Sequence, residues 1–233
     1  KTAPGVCGCG VADTDADGFS DSEEITAGTD PLDPDDNPLS MVIANSEAEF
    51  SGTQGQNGWY NGYRQYDPAT GEVDYDAEAD FIPYPGGQGQ GDWNGTTQTW
   101  TGSAWDLNTA AAGPWTYQAA LSIHPNGINS PPNDFEHWAI RRWVAAELTK
   151  VTPAALAWSV KKENADQTGV TGSLHVNGQQ VDSRTIAGND TQGQVRRFYV
   201  NLEPSDIVDL ALTPEGVDGD RLDYSDGSQT WLW

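Results

Sequence analysis

Cysteine is almost missing from this chain: 233 residues carry two, Cys7 and Cys9. Nothing after residue 9 can form a disulfide within the chain, so the bulk of it is not a disulfide scaffold. A Cys7–Cys9 bridge would be strained; pairing with another cysteine upstream, or across chains, is equally open. No second Cys or His pair stands nearby, which speaks against zinc. Basic residues are scarce too, 11 against 35 acidic ones, a net charge of −24. Phosphate backbones need a basic surface, so nucleic acid is excluded as a partner. Anionic membranes are disfavoured, and sulfated or uronic polysaccharides are repelled unless a bound cation bridges them. No apolar run reaches membrane-spanning length, which excludes insertion. Histidine occurs three times, as His124, His137 and His175, none in metal-ligand spacing. A two-histidine zinc helix, a Gly-x-Ser-x-Gly elbow and a phosphate-cradling glycine loop are all lacking. No pair of carboxylates stands out as a glycosidase couple. The expectation is a protein that is not an enzyme.

What is present begins at residue 13. Asp13, Asp15, Asp17, Asp21 and Glu24 fall at positions 1, 3, 5, 9 and 12 of a twelve-residue loop, with Gly18 at position 6. Ca²⁺ is a hard cation that takes about six to eight oxygens, and this is the spacing that supplies them. Asp13, Asp15 and Asp17 wrap one side, Phe19 offers its carbonyl, Asp21 acts directly or through water, and Glu24 closes the shell. A solvated acidic run is the bland alternative, and the ordered spacing argues against it. Residues 4–10 are too rich in proline and glycine for an entering helix, so this is not a calmodulin-type hand. After the loop a short helix is predicted from Ser22 to Ala27, stopped by Gly28. Asp30, Asp33 and Asp35 follow on a proline-stiffened segment and extend the ligand set.

These forty residues resemble the thrombospondin type 3 repeat family. The resemblance implies a rigid stalk in which calcium is structural and replaces an apolar core. It also implies a further cysteine upstream, and so a longer parent chain. Structural calcium loops suit the millimolar Ca²⁺ outside cells, so a secreted or cell-surface location is expected.

The texture changes near Asn37 to Ser40, which divides the chain into a stalk, 1–38, and a second module, 39–233. In the module glycine, threonine, asparagine and tryptophan become frequent and helical periodicity vanishes. Strands are predicted at Met41 to Ile43, Trp100 to Leu107, Trp115 to Ile123, His137 to Leu148, Ala154 to Lys161, Gly169 to Val176, Gln180 to Ile186, Val195 to Leu202, Ile207 to Leu212 and Gln229 to Trp233. Asn177 and Gly178 form a two-residue hairpin turn. Glycine-rich loops are expected at 51–62 and 84–97, and a proline-rich one at 125–133. The fold class is mostly β, a jelly-roll-like antiparallel β-sandwich. Phe50 to Tyr63, His124, Trp138 to Trp143, Gly178 and Val181 make this module similar to the carbohydrate-binding modules of secreted multidomain bacterial proteins.

Ten tryptophans and eight tyrosines exceed the needs of one core this size. Trp143, Trp158 and Phe198 read as core. Trp59, Tyr60, Tyr63, Tyr66 and Trp93 fall on or beside the glycine-rich loops. They either cap one end of the sandwich or form a platform on which the apolar face of a sugar ring stacks. Gln54, Gln56, Asn57, Asn61 and Gln65 would then bond its hydroxyls. Arg141 and Arg142 point to opposite faces of a strand, one in an ion pair and one at the surface. Asp218, Asp220, Asp223 and Asp226 with Tyr224 suit a second calcium site or an ordinary acidic loop equally. The partner expected is a neutral polysaccharide or glycan, bound for targeting or anchoring. The alternative is a structural subunit of a calcium-dependent filament, surface layer or adhesive matrix, through self-association or contact with neighbouring domains.

Overall fold

The computed structural model describes residues 12–17, 19–37, 42–66, 74–84, 99–109, 113–127, 136–221 and 226–233. One helix, α1 (Asp21–Ala27), follows the acidic loop. It starts where the Ser20 carbonyl accepts the Glu24 N–H at 3.0 Å. It stops at Gly28, whose φ of 89° only glycine adopts freely.

The strands among the described residues form two six-stranded antiparallel sheets. The first has the order β2 (Ile82–Pro83), β1 (Trp59–Tyr66), β6 (Glu136–Val144), β11 (Ile207–Thr213), β8 (Val170–Val176), β9 (Gln179–Ile186). The second runs β10 (Gln194–Leu202), β7 (Thr152–Lys162), β12 (Ser228–Leu232), β5 (Ser122–His124), β4 (Tyr117–Ala119), β3 (Ala104–Asp106). They pack face to face over a core drawn from both, with Trp59, Trp143, Leu174 and Leu210 on one side and Leu156, Trp158, Val160 and Leu232 on the other. This is the β-sandwich read from the strand pattern. Gly172 shows how tightly the layers meet: a Cβ there would lie 2.8 Å from the Trp158 ring. The β8–β9 hairpin turns at Asn177 and Gly178, with φ of 50° and 80°, the left-handed pair that this turn requires.

Strand β6 is buried on both faces. The reason is a third layer. Residues 74–81 lie over the outer face of the first sheet, where Tyr75, Ala77 and Phe81 pack on Trp138, Ile140 and Ala211. That cover corrects the reading of the arginine pair: both are buried. Arg142 points outward under the cover and grips Asp209 through Nε and a terminal nitrogen, each at 2.8 Å. Tyr75 donates its hydroxyl to the same carboxylate at 2.8 Å. Arg141 points inward, bonds Thr230 Oγ1 and the Ala119 carbonyl, and has its pKa lowered by desolvation to about 9.

Three strand expectations need correction. Residues 42 and 43 are exposed and form no strand, whereas Met41 lies outside the described residues. The stretch from Trp115 to Ile123 is a hairpin, β4 and β5, rather than one strand. The supposed loop at 51–62 contains the start of β1, which pairs with β6 from Trp59↔Trp143 to Tyr66↔Glu136.

Candidate ion loop and aromatic trough

In the acidic loop Asp13, Asp15 and Asp17 each use one oxygen to shape the chain. Asp13 Oδ1 accepts the Ala16 N–H at 2.9 Å, and Asp17 Oδ1 accepts that of Phe19 at 2.9 Å. Asp15 Oδ1 accepts the Asp17 N–H at 3.3 Å. Such Asx turns curl the backbone and turn other oxygens inward. Ligand oxygens of Asp13, Asp15 and Asp17 lie within 4.8 Å of one another. Asp15 Oδ2, Asp17 Oδ2 and both oxygens of Glu24 are enclosed without a hydrogen-bond donor. Glu24 itself is fully buried. Its carboxyl is pushed above the ordinary glutamate value by desolvation first, then by the charges of Asp15, Asp17, Asp21 and Asp13.

Four enclosed, donor-free oxygens facing like charges are a destabilising arrangement unless a cation joins them. An all-oxygen set of this kind fits a hard divalent ion, and Ca²⁺ would be held by Asp13, Asp15, Asp17 and Glu24. Asp21 is placed differently: its oxygens accept the Thr14 N–H at 2.9 Å and the Thr14 hydroxyl at 2.8 Å, which braces the loop across its mouth. Asp30, Asp33 and Asp35 are exposed and stand outside the cluster among the described residues. Asp30 Oδ1 and Asp33 Oδ1 cap the N–H groups of Leu32 and Asp35. Two successive turns, Asp33 N–H to the Asp30 carbonyl and Asp36 N–H to the Asp33 carbonyl, curl the segment, and Asp36 Oδ2 accepts the Asp30 N–H at 3.1 Å.

The aromatic residues of the first expectation do not form a surface platform. Trp59, Tyr63 and Tyr66 are buried, each less than a tenth exposed. Trp59 faces the core and donates its indole N–H to Glu49 at 2.8 Å. Tyr63 packs with Tyr84 and Trp105, and Tyr66 against Trp138. They sit inside because β1 is an interior strand, not a loop. Tyr60 is half-buried, and Trp93 lies outside the described residues. The C-terminal carboxylates are not brought together either. Asp218 is exposed and Asp220 half-buried, Asp226 is buried beside Lys162 Nζ at 3.7 Å, and Asp223 and Tyr224 lie outside the described residues.

Exposed aromatics occur elsewhere, on the outer face of the second sheet. Tyr199 is 62% exposed and Trp233 44%. Register places them in rows across three strands. Tyr199 stands opposite Ala155, Arg197 opposite Ala157, and Val195 opposite Ser159. On the other side Trp231 pairs with Ser159, and Trp233 exchanges both backbone bonds with Ala157. The central strand β7 therefore offers small side chains, while β10 and β12 raise large ones beside it. The result is a trough along β7. Its Ala155–Ala157 stretch opens into a depression of about 510 Å³ lined also by Asp17 and Phe19. A second depression continues past Ser159, Val195 and Trp231. The Trp231 and Trp233 rings stack at 4.7 Å and stiffen one wall.

Sequence reasoning missed this trough. The signal was present as the small-residue run Ala154, Ala155 and Ala157 and the alternation Val195, Arg197, Tyr199, but pairing across strands is needed to make a groove of them.

Residues 13–34 match the family model described as Bacterial TSP3 repeat. No curated protein matches the chain. Among solved structures the chain is similar to a family 35 carbohydrate binding module from an environmental isolate. That likeness has 15% identity and a TM-score of 0.26, over 41% of this chain and 64% of that one. The chain thus spans just under two thirds of that module's length. It is similar to the CBM51 from Clostridium perfringens GH95, solved in complex with methyl-galactose, at 10% identity and a TM-score of 0.29, over 63% of this chain and 86% of that one. It is also similar to CBM35 from Paenibacillus barcinonensis, at 12% identity and a TM-score of 0.26, over 75% of this chain and 95% of that one. No helix among the described residues is long and apolar enough to cross a membrane.

Proposed function

We propose that this chain is a non-catalytic extracellular module, a calcium-stabilised repeat of residues 1–38 joined to a glycan-binding sandwich of residues 39–233, used for targeting or anchoring. The observation that carries the glycan reading is the trough: aromatic walls, Tyr199 on one side and Trp233 on the other, over a floor of alanines. The apolar face of a pyranose packs against such rings, and Arg197 supplies hydrogen bonds to hydroxyls at the rim. A depression of about 510 Å³ is within the usual range for small-ligand sites, about 300–1,000 Å³. Neutral glycans are favoured because the chain's net charge of −24 repels anionic ones. The non-catalytic reading is supported by how the buried Asp209 is held, gripped by Arg142 and bonded by Tyr75.

Calorimetry in calcium buffer against neutral oligosaccharides tests this. Binding to at least one of them, reduced by Tyr199→Ala and by Trp233→Ala, supports the trough. Binding unchanged by both substitutions refutes it.

A further inference from the structure

One end of the trough is not built by the sandwich. Asp17 and Phe19 of the repeat line the same depression as Ala155, Ala157, Tyr199 and Trp233. Asp17 links the two sites. Its Oδ2 is one of the enclosed, donor-free oxygens that face the ion position. Its Oδ1 holds the N–H of Phe19 at 2.9 Å. The carboxylate that a cation would fix is therefore bonded directly to the residue that closes the trough. Without a cation, the clustered carboxylates of Asp13, Asp15 and Asp17 and the enclosed, donor-free oxygens of Glu24 set like charges against one another. With a cation the loop from 13 to 19 has one favoured shape, and the Phe19 wall is set in place.

We propose that the ion-filled repeat forms the end wall of the saccharide trough, so that Ca²⁺ and a neutral oligosaccharide bind this chain with positive coupling. The inference rests on the glycan reading above and adds a composite site to it. Coupling must be reciprocal: whatever factor Ca²⁺ contributes to saccharide affinity, the saccharide contributes to Ca²⁺ affinity. Arg197 and Trp233 hold the sugar from the sheet, and Phe19 covers its end. The ion touches no sugar in this arrangement; it acts by holding Asp17 and, through it, Phe19.

The test uses the full chain with four probes, linear neutral hexasaccharides of β-glucose, β-xylose, β-mannose and β-galactose. Titration calorimetry is run in Ca²⁺ and again after chelation. The expected result is affinity higher by about tenfold in Ca²⁺, within the usual span of coupling between sites. The best probe then raises Ca²⁺ affinity by the same factor. In Phe19→Ala, with Ca²⁺ binding measured alongside by competition with a fluorescent chelator, saccharide affinity no longer responds to the ion. Acrylamide quenching of tryptophan fluorescence in the unsubstituted chain gives a readout that needs no variant: chelation should raise it by uncovering Trp233, and the sugar should lower it in Ca²⁺. Equal saccharide affinity with and without Ca²⁺ overturns the coupling and leaves the glycan reading standing. Full coupling in Phe19→Ala overturns the wall. Failure of all four probes in both states overturns coupling and glycan reading together.

Discussion

Acid should unfold the sandwich through His137. The side chain is fully buried on β6, its Nδ1 is 2.7 Å from the Thr116 hydroxyl, and its ring lies 4.9 Å from that of Tyr63. Burial opposes the charged imidazolium and lowers its pKa to about 3. In the unfolded chain histidine titrates near 6.5. Between those values the unfolded state binds a proton that the folded state refuses, so stability falls as pH falls, by about 1.4 kcal/mol per unit. Moving from about pH 7.5 to about 5.0 should therefore remove roughly 2 kcal/mol through this one residue. His175, also lowered by burial, adds loss of the same sign. Glu136, whose carboxyl burial raises, works the other way, because its folded form takes up a proton first. Urea unfolding followed by tryptophan fluorescence, at several pH values in saturating Ca²⁺, measures the slope. His137→Gln should be shallower than the unsubstituted chain by about 2 kcal/mol over that range, whatever its stability at neutral pH. Identical slopes would refute the burial argument.

Four further outcomes follow from other contacts. Asp209→Ala leaves the Arg142 guanidinium buried without its carboxylate and should cost about 3–5 kcal/mol, a fall in Tm of roughly 6–20 °C for a domain of this size, read by calorimetry. Gly172→Ala puts a methyl 2.8 Å from the Trp158 ring and should cost about 1–3 kcal/mol in urea unfolding. Glu24→Gln removes a charged, fully buried ligand and should weaken Ca²⁺ binding by about tenfold or more in competition with a fluorescent chelator, because affinity follows ligand charge count. In the unsubstituted chain Ca²⁺ affinity should also fall with pH below neutrality, sooner than an ordinary glutamate would make it, since Glu24 protonates above its usual range.

The clustering of Asp13, Asp15 and Asp17 was legible because it is local. Twelve consecutive residues carry these carboxylates and the buried Glu24, and Asp21 departs from the expected arrangement, since its carboxylate braces Thr14. The strands at Gly169 to Val176 and Val195 to Leu202 were legible because one face is apolar and the other is not. Strand β1 was not, because it is covered on both faces. Trp59, Asn61 and Tyr63 meet the interior, while Arg64 lies against Asp80 and the Trp138 ring under the 74–81 layer. A strand of that kind has no alternation to read, and its glycines suggest a loop instead. The same layer explains why Arg142 is buried. The trough was illegible for a different reason: Ala157, Arg197 and Trp233 are forty or more residues apart in pairs that only register joins, apart from Arg197 and Trp233 themselves at thirty-six.

Strand β12 lies between β7 and β5 in the second sheet. Until residues 228–232 leave the ribosome, that sheet exists as two unconnected halves, β10–β7 on one side and β5–β4–β3 on the other. Each half then presents a bare row of amide and carbonyl groups toward the gap, the kind of edge that recruits foreign strands. Among the six strands of this sheet the keystone is the last to be synthesised, so the sheet cannot close before it. Shortening this strand by even a few residues would do more than trim a wall of the groove, because it would leave the sandwich permanently unzipped down its middle.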